Sequence, residues 1–235
     1  MQRMFNAAEP ELMDRPQPVS PELERDLANL ASLNRWFGSH RMLRKFLRRW
    51  WAKGDRPRVL DLCTGAGDLP EVMARFARSK GVSPSITAVD ANQATVEIAR
   101  RKYEAFPEIE FVQGNALTFD PHEVDLPLRQ VFDLVHCSLA LHHFSEADAV
   151  RMLRHCRTLG VRVLISDLER SWSTSLGVWL LTELIYREPM TKHDGRESAR
   201  RAFSFKELRE LAMEAGWQGF KQARFAFCRQ AVWLE

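Results

Sequence analysis

From Arg58 onward, short apolar runs alternate with longer segments in which apolar residues recur three and four positions apart. A short run rich in branched apolar residues suits a strand buried on both faces, and the three-and-four recurrence suits a helix with one buried side. Strands are predicted over 58–62 (RVLDL), 85–90 (SITAVD), 132–137 (FDLVHC) and 161–167 (VRVLISD), with a shorter one at 110–114 (EFVQG). Helical segments fall between them around 70–80, 93–104 and 146–158. Ser204 and Glu207 have the spacing of a capping box and open a last helix that Gly216 stops. Beyond Gly216, two β-like stretches with little between them predict a hairpin. The pattern as a whole predicts an α/β fold: a Rossmann-like, doubly wound sheet, mostly parallel with an antiparallel C-terminal hairpin strand, plus an N-terminal helical cover.

Two helical regions stand outside the alternation, residues 20–52 and residues 172–188. The predicted organisation is therefore an N-terminal helical lid over 1–56 and a main domain over 57–235 with an inserted helix at 172–188. Within the lid, the apolar stripe of residues 27–38 (LANLASLNRWFG) is the candidate to close over a ligand.

With 235 residues, 45% apolar and 28% charged, the chain suits one larger globular domain rather than a disordered segment. The net charge of +3 is small, but it is concentrated between Arg35 and Arg56, where Asp55 is the only acid. Four cysteines, Cys63, Cys137, Cys156 and Cys228, stand far apart without a CxxC pair, so no zinc site and no disulfide framework is expected, and no metal is assigned. A polar, acidic N-terminus and the lack of a long apolar stretch fit a cytoplasmic protein, at most peripheral to a membrane.

The segment Arg58–Pro70, RVLDLCTGAGDLP, reads as a buried strand, a Gly-Ala-Gly turn and a helix start, with Asp68 as the expected cap and Pro70 in the first turn. Glycines at 65 and 67 allow backbone to approach a ligand where a β-carbon would collide. The dinucleotide fingerprint GxGxxG fails here, because Pro70 stands where its third glycine belongs.

Asp61-x-Cys63-Thr64-Gly65-Ala66-Gly67-Asp68 resembles the first motif of class I S-adenosylmethionine-dependent methyltransferases. The form with cysteine replacing the first glycine is similar to the ubiquinone/menaquinone C-methyltransferases. The resemblance runs from about Arg58 to Asp167 and implies S-adenosylmethionine as cofactor. It places Asp90, beside Ala91, as the acid that takes both ribose hydroxyls, a task suited to a carboxylate. It sets Asn115 and Ala116 where an aspartate commonly accepts from the adenine amino group, and Cys137 and Ser138 where backbone faces the methionine part. Asp61, Cys63, Thr64, Gly65 and Gly67 complete the implied cofactor set.

Methyl transfer from a sulfonium needs alignment above all, and a base only where the acceptor must lose a proton. The candidate bases are His142 and His143, which follow the fourth strand (132–137) at the ligand-binding end of such sheets, and His193. The last lies in a polar stretch, 190–203, read as a loop in which Asp194 orients the imidazole, Gly195 is a hinge and Arg200 and Arg201 hold an anion. Residues 167–195 also resemble methyltransferases found beside polyketide synthases, which implies a small, largely apolar acceptor of phenol, quinone or polyketide kind.

From Arg41, Leu43, Phe46, Leu47 and Trp50 make one apolar face and Arg44, Lys45, Arg48 and Arg49 lie mostly opposite. Two readings are open for residues 41–53: the stripe packs on the fold, or it rests on an anionic membrane surface beside a lipophilic acceptor. The same basic run leaves an RNA methyltransferase as the alternative, although no RNA-binding module and no NPPY-like tetrapeptide accompany it, so no nucleic-acid partner is expected. A non-catalytic regulatory protein that merely binds the cofactor is the third reading.

Overall fold

The protein is described from a computed structural model covering residues 2–121, 132–186 and 188–235. In chain order the elements are α1 (Pro21–Trp36), α2 (Ser39–Trp50), β1 (Arg58–Leu62), α3 (Asp68–Lys80), β2 (Ser85–Asp90), α4 (Gln93–Lys102), β3 (Ile109–Gln113) and β4 (Phe132–Ser138). They continue with α5 (Glu146–Leu159), β5 (Gly160–Leu168), α6 (Trp172–Leu184), α7 (Pro189–Arg201), α8 (Phe205–Glu214), β6 (Lys221–Phe225) and β7 (Arg229–Leu234).

One seven-stranded sheet runs in the order β3-β2-β1-β4-β5-β7-β6. The first five strands are parallel, and β7 pairs antiparallel with both β5 and β6. This is the expected doubly wound sheet with its C-terminal hairpin. The order reverses between β1 and β4, which places the switch point, where open α/β sheets bind ligands, above the carboxyl ends of these two strands.

Side chains of β1 alternate between two cores. Val59 joins Met42 and Phe46 of α2, Met73 and Phe76 of α3 and Val96 of α4 on one face. Leu60 and Leu62 join Met152 and Leu153 of α5 and Leu208 and Leu211 of α8 on the other. A third cluster, with Leu23 and Leu27 of α1 against Ala66, Ala94 and Ile98, seats the N-terminal helix across the ends of α3 and α4.

The region 20–52 is two helices separated at Gly38, whose φ of 95° only glycine adopts readily. The apolar face of α2 is turned inward: Met42, Leu43, Phe46 and Leu47 are buried. Burying each such side chain is worth about 1.5–3 kcal/mol, so the fold itself uses the stripe that a membrane-resting helix at 41–53 would need. The packing reading is the one realised. No helix among the described residues is long and apolar enough to cross a membrane.

The expected capping box is present, with Ser204 accepting from the Glu207 N–H and the Glu207 carboxylate accepting from the Ser204 N–H. The stretch 190–203, in contrast, is not a loop but most of α7. Pro189 starts it at a position where its missing N–H costs nothing. Its buried side is polar, formed by Thr191, Asp194 and Arg201 together with Ala199, which hides the helical period from a hydrophobicity reading. Gly195 is not a hinge: a β-carbon there would stand 3.2 Å from Thr182 Cγ2, so the glycine lets α7 lie close against α6.

Candidate active site

A cavity of about 820 Å³ opens at the switch point. Its floor is the turn after β1 and the ends of β2 and β4; its roof is Leu30, Leu33 and Asn34 of α1 and Phe37 just beyond it, together with Thr174, Val178 and Leu181 of α6. The N-terminal stretch expected to act as a lid thus forms part of the wall. Outside the cavity, α6 exposes Trp172, Leu176, Trp179, Leu180, Leu184 and the adjacent Ile185.

Asp61, Cys63, Thr64, Gly65, Asp90, Ala91, Asn115, Ala116 and Ser138 line this one cavity. Two residues assigned to the cofactor set do not. Cys137 is fully buried beneath it, and Gly67 acts through packing: its φ is 74°, and a β-carbon there would meet the Phe111 ring at 2.8 Å. Gly67 is also the N-cap of α3, so Asp68 is not the cap. The Asp68 carboxylate instead accepts from His40 Nε2 at 2.6 Å and Asn34 Nδ2 at 3.3 Å, tying both N-terminal helices to the turn.

Gly65 has φ of 51° and nothing within 4 Å of its would-be β-carbon, so bare backbone faces open space. Beside it, Asp90 accepts the N–H of Gly65 at 2.8 Å through one oxygen and that of Asn92 at 3.0 Å through the other. Burial pushes its carboxyl above the usual range, against the pull of those two N–H groups. A carboxylate accepts about four hydrogens, which leaves lone pairs for a ligand's hydroxyls. Asn115 Oδ1 accepts from the Leu117 N–H at 2.9 Å, fixing the amide at the cavity wall. Asp61 accepts from Thr64 Oγ1 at 2.6 Å and His136 Nδ1 at 2.5 Å. Its role is to brace the turn from beneath.

The same cavity is also lined by Glu11, Asp14, His142 and His143. His142 Nδ1 donates to Asp167 Oδ1 at 2.7 Å, and its backbone N–H donates to Oδ2 at 2.9 Å. His143 Nδ1 donates to Asp14 Oδ2 at 2.5 Å. Ionised carboxylates accept only, which makes each Nδ1 a donor and leaves each Nε2 on the far side. Burial disfavours charge on His143, but the Glu11 and Asp14 carboxylates outweigh it and hold the imidazole up at about 10. For Asp167, burial raises the carboxyl while the His142 charge and hydrogen bond lower it further, and the net direction is down. Glu11 is raised, because burial outweighs the attraction of the two histidines.

His193 does not join them. It lies half-exposed on α7 outside the lining, with Nδ1 against Asp194 at 2.9 Å. Asp194 chiefly receives the N–H groups of Leu12 at 2.8 Å and Met13 at 3.0 Å, so it anchors the N-terminal segment. Arg201 donates to the Glu9 carbonyl and Arg200 pairs with Glu197, and these contacts occupy the arginines expected to hold an anion. Sequence reading missed Glu11, Asp14, His136 and Asp167. Only Asp167 carried a signal, as an acid at the carboxyl end of a strand.

The methyltransferase-domain family matches residues 59–160, the span from β1 through α5. Among characterised relatives, the 2-phytyl-1,4-naphtoquinone methyltransferase of Thermosynechococcus vestitus is 31% identical over 169 residues, covering 68% of this chain and 68% of its own. The chain belongs to the S-adenosylmethionine-dependent methyltransferase family. The Synechococcus elongatus enzyme of the same name is 29% identical over 170 residues, a match covering 70% of this chain and 65% of that relative. A ubiquinone/menaquinone biosynthesis C-methyltransferase from Shewanella pealeana is 31% identical over 143 residues, covering 57% and 51%. In fold, a SAM-dependent methyltransferase from Aquifex aeolicus superposes with a TM-score of 0.59 at 17% identity, over 89% of this chain and 96% of that one.

S-Adenosylmethionine is the family's cofactor, and the residues present fit it. The uncovered Gly65 backbone is a cradle that a β-carbon would fill, and Asp90 and Asn115 supply a carboxylate and an amide on the same wall.

Proposed function

We propose that this protein methylates a small, largely apolar acceptor of phenol or quinone type, bound in the cavity between the cofactor turn and the His142–His143 end. The observation that carries this reading is the cavity itself. It joins Gly65, Asp90 and Asn115 to the buried imidazole of His142 and the half-buried one of His143 under an apolar roof of α1 and α6. The relatives named as quinone methyltransferases support the acceptor class. So does the apolar outer face of α6 beside the cavity, which suits an acceptor carrying a lipophilic tail.

When bound, the cofactor supplies an electrophilic methyl on a sulfonium. The chain's contribution is placement: Asp90 and Asn115 fix the nucleoside portion, while Leu33, Phe37, Val178 and Leu181 exclude water around the acceptor. Holding the reacting atoms about 3–3.5 Å apart in line supplies roughly 7–11 kcal/mol of the barrier. His142, kept in one tautomer by Asp167, presents Nε2 as the group that takes the proton of an acceptor hydroxyl. His193, set apart on α7, is not part of this machinery. Residues 1–56 serve as the cover, with the Leu12–Asp14 turn closing the acceptor end.

Incubation of the protein with methyl-labelled S-adenosylmethionine and cell extract, followed by partition, tests the reading. Label is expected in the organic-soluble fraction. Label confined to RNA or DNA would overturn the acceptor class.

A further inference from the structure

Among the described residues, Glu11, His142 and His143 bring one carboxylate and two imidazole nitrogens within 4.8 Å of one another. His142 Nε2 stands 3.7 Å from Glu11 Oε1, and His143 Nε2 stands 3.8 Å from Glu11 Oε2. These separations are too long for hydrogen bonds. His142 is 2% exposed, and its Nε2 is buried with no hydrogen-bond partner among the described residues. A buried imidazole nitrogen without a partner is costly, and here it points at a buried carboxylate and a second imidazole. We propose that Glu11, His142 and His143 bind a divalent transition-metal ion of the zinc or iron(II) type at the acceptor end of the cavity.

The surrounding groups are those that a metal-binding histidine requires. Each Nδ1 is already held by a carboxylate, Asp167 for His142 at 2.7 Å and Asp14 for His143 at 2.5 Å. That carboxylate–histidine arrangement fixes the tautomer and turns Nε2 toward the ion. Glu11 is fixed in turn by the Ser198 hydroxyl, which donates to Oε1 at 2.9 Å. Donors bound tetrahedrally at about 2.0–2.1 Å from an ion lie roughly 3.4 Å apart; the two Glu11–imidazole separations, one to each carboxylate oxygen, stand a few tenths of an ångström above this, and binding draws the whole group in from its 4.8 Å spread.

Two histidines and one carboxylate leave coordination positions open, and all three ligands line the cavity. The donor set suits zinc or iron(II) better than magnesium or calcium, which prefer all-oxygen sites. The site takes over the task given above to the histidine base: with the ion in place the imidazoles are ligands, and an acceptor oxygen bound to the ion loses its proton more readily.

The test uses the full chain, stripped with a chelator and titrated with Co²⁺ as a visible-absorbing stand-in and with Zn²⁺ by calorimetry. One equivalent is expected to bind, with X-ray absorption of the wild-type complex reading two imidazole nitrogens and oxygen. His143→Gln and Glu11→Gln are each expected to weaken binding at least about 10-fold, while His193→Gln retains it. The Asp14→Asn variant is expected to weaken it about 10–100-fold through the hydrogen bond behind His143. Absence of binding to the stripped wild type would overturn the site. So would one equivalent retained undiminished in both ligand variants, or an absorption spectrum lacking nitrogen donors. Methyl transfer measured separately on stripped protein distinguishes the two readings: turnover without any ion binding sinks the metal site alone, and ion binding without turnover on any acceptor sinks the methylation reading alone.

Discussion

Asp167, at the end of β5, grips His142 twice, accepting from Nδ1 at 2.7 Å and from the backbone N–H at 2.9 Å. Both residues are almost wholly buried. The pair couples the sheet's own strand to an imidazole of the cavity wall, while Glu11 and Asp14 reach the same imidazoles from the N-terminal cover.

Replacing Asp167 with asparagine keeps the shape but removes the charge that fixes the His142 tautomer. Turnover is expected to fall roughly 10²-fold, within the span typical of a disabled acid–base group, while affinity for S-adenosylmethionine stays the same. His193→Gln is expected to leave both quantities unchanged. Steady-state kinetics with separate variation of cofactor and acceptor checks this, and a loss confined to cofactor affinity would place Asp167 elsewhere in the account.

Gly65 and Gly67 both adopt positive φ, yet their surroundings differ. Gly67→Ala is expected to destabilise the fold by more than the 1–2 kcal/mol of left-handed backbone strain, because Phe111 must also move. A chain of this size loses about 2–4 °C of melting temperature per kcal/mol. Gly65→Ala carries the strain alone, but its methyl enters the cofactor cavity, so binding of S-adenosylmethionine is expected to weaken at least about 10-fold. Melting curves and calorimetric titrations of the two variants separate a packing glycine from a binding one.

Asp26 on α1 is buried, with one oxygen accepting from Thr191 Oγ1 at 2.5 Å and the other unpartnered. Burial is the main reason its carboxyl is pushed up to about 6 from 3.8. The Thr191 bond opposes this, and the Asp194, Glu11 and Glu188 charges add to it. A carboxyl raised in the folded state favours folding while protonated, so its contribution is fully present below about pH 3.8 and is lost as pH rises through 6. Asp26→Asn is therefore expected to melt higher than the wild type above pH 6, by up to about 3 kcal/mol of stability, with the difference vanishing near pH 4. Equal melting at pH 7.5 would contradict this.

The parallel sheet, its hairpin and the cofactor end were legible in the sequence, because each rests on local signals: short apolar runs, a glycine turn and an acid ending a strand. The histidine cluster was legible only as His142 and His143. Its other members, Glu11, Asp14 and Asp167, reach it from the N-terminal segment and from the end of β5, and no spacing records that convergence. The helix α7 was misread as a loop because its buried face is polar: Thr191, Asp194 and Arg201 satisfy side chains and backbone of α1 and the N-terminal turn. A period calculated from hydrophobicity alone does not register such a face.

The most direct test supplies purified protein with methyl-labelled S-adenosylmethionine and an alkyl-substituted naphthohydroquinone, then separates products by solvent extraction. Label is expected to enter the extracted acceptor, with transfer sharply reduced in Asp90→Ala through lost cofactor binding and in His142→Gln at saturating cofactor. No labelled product from this or other phenolic acceptors, or undiminished transfer in both variants, would contradict methylation at this cavity.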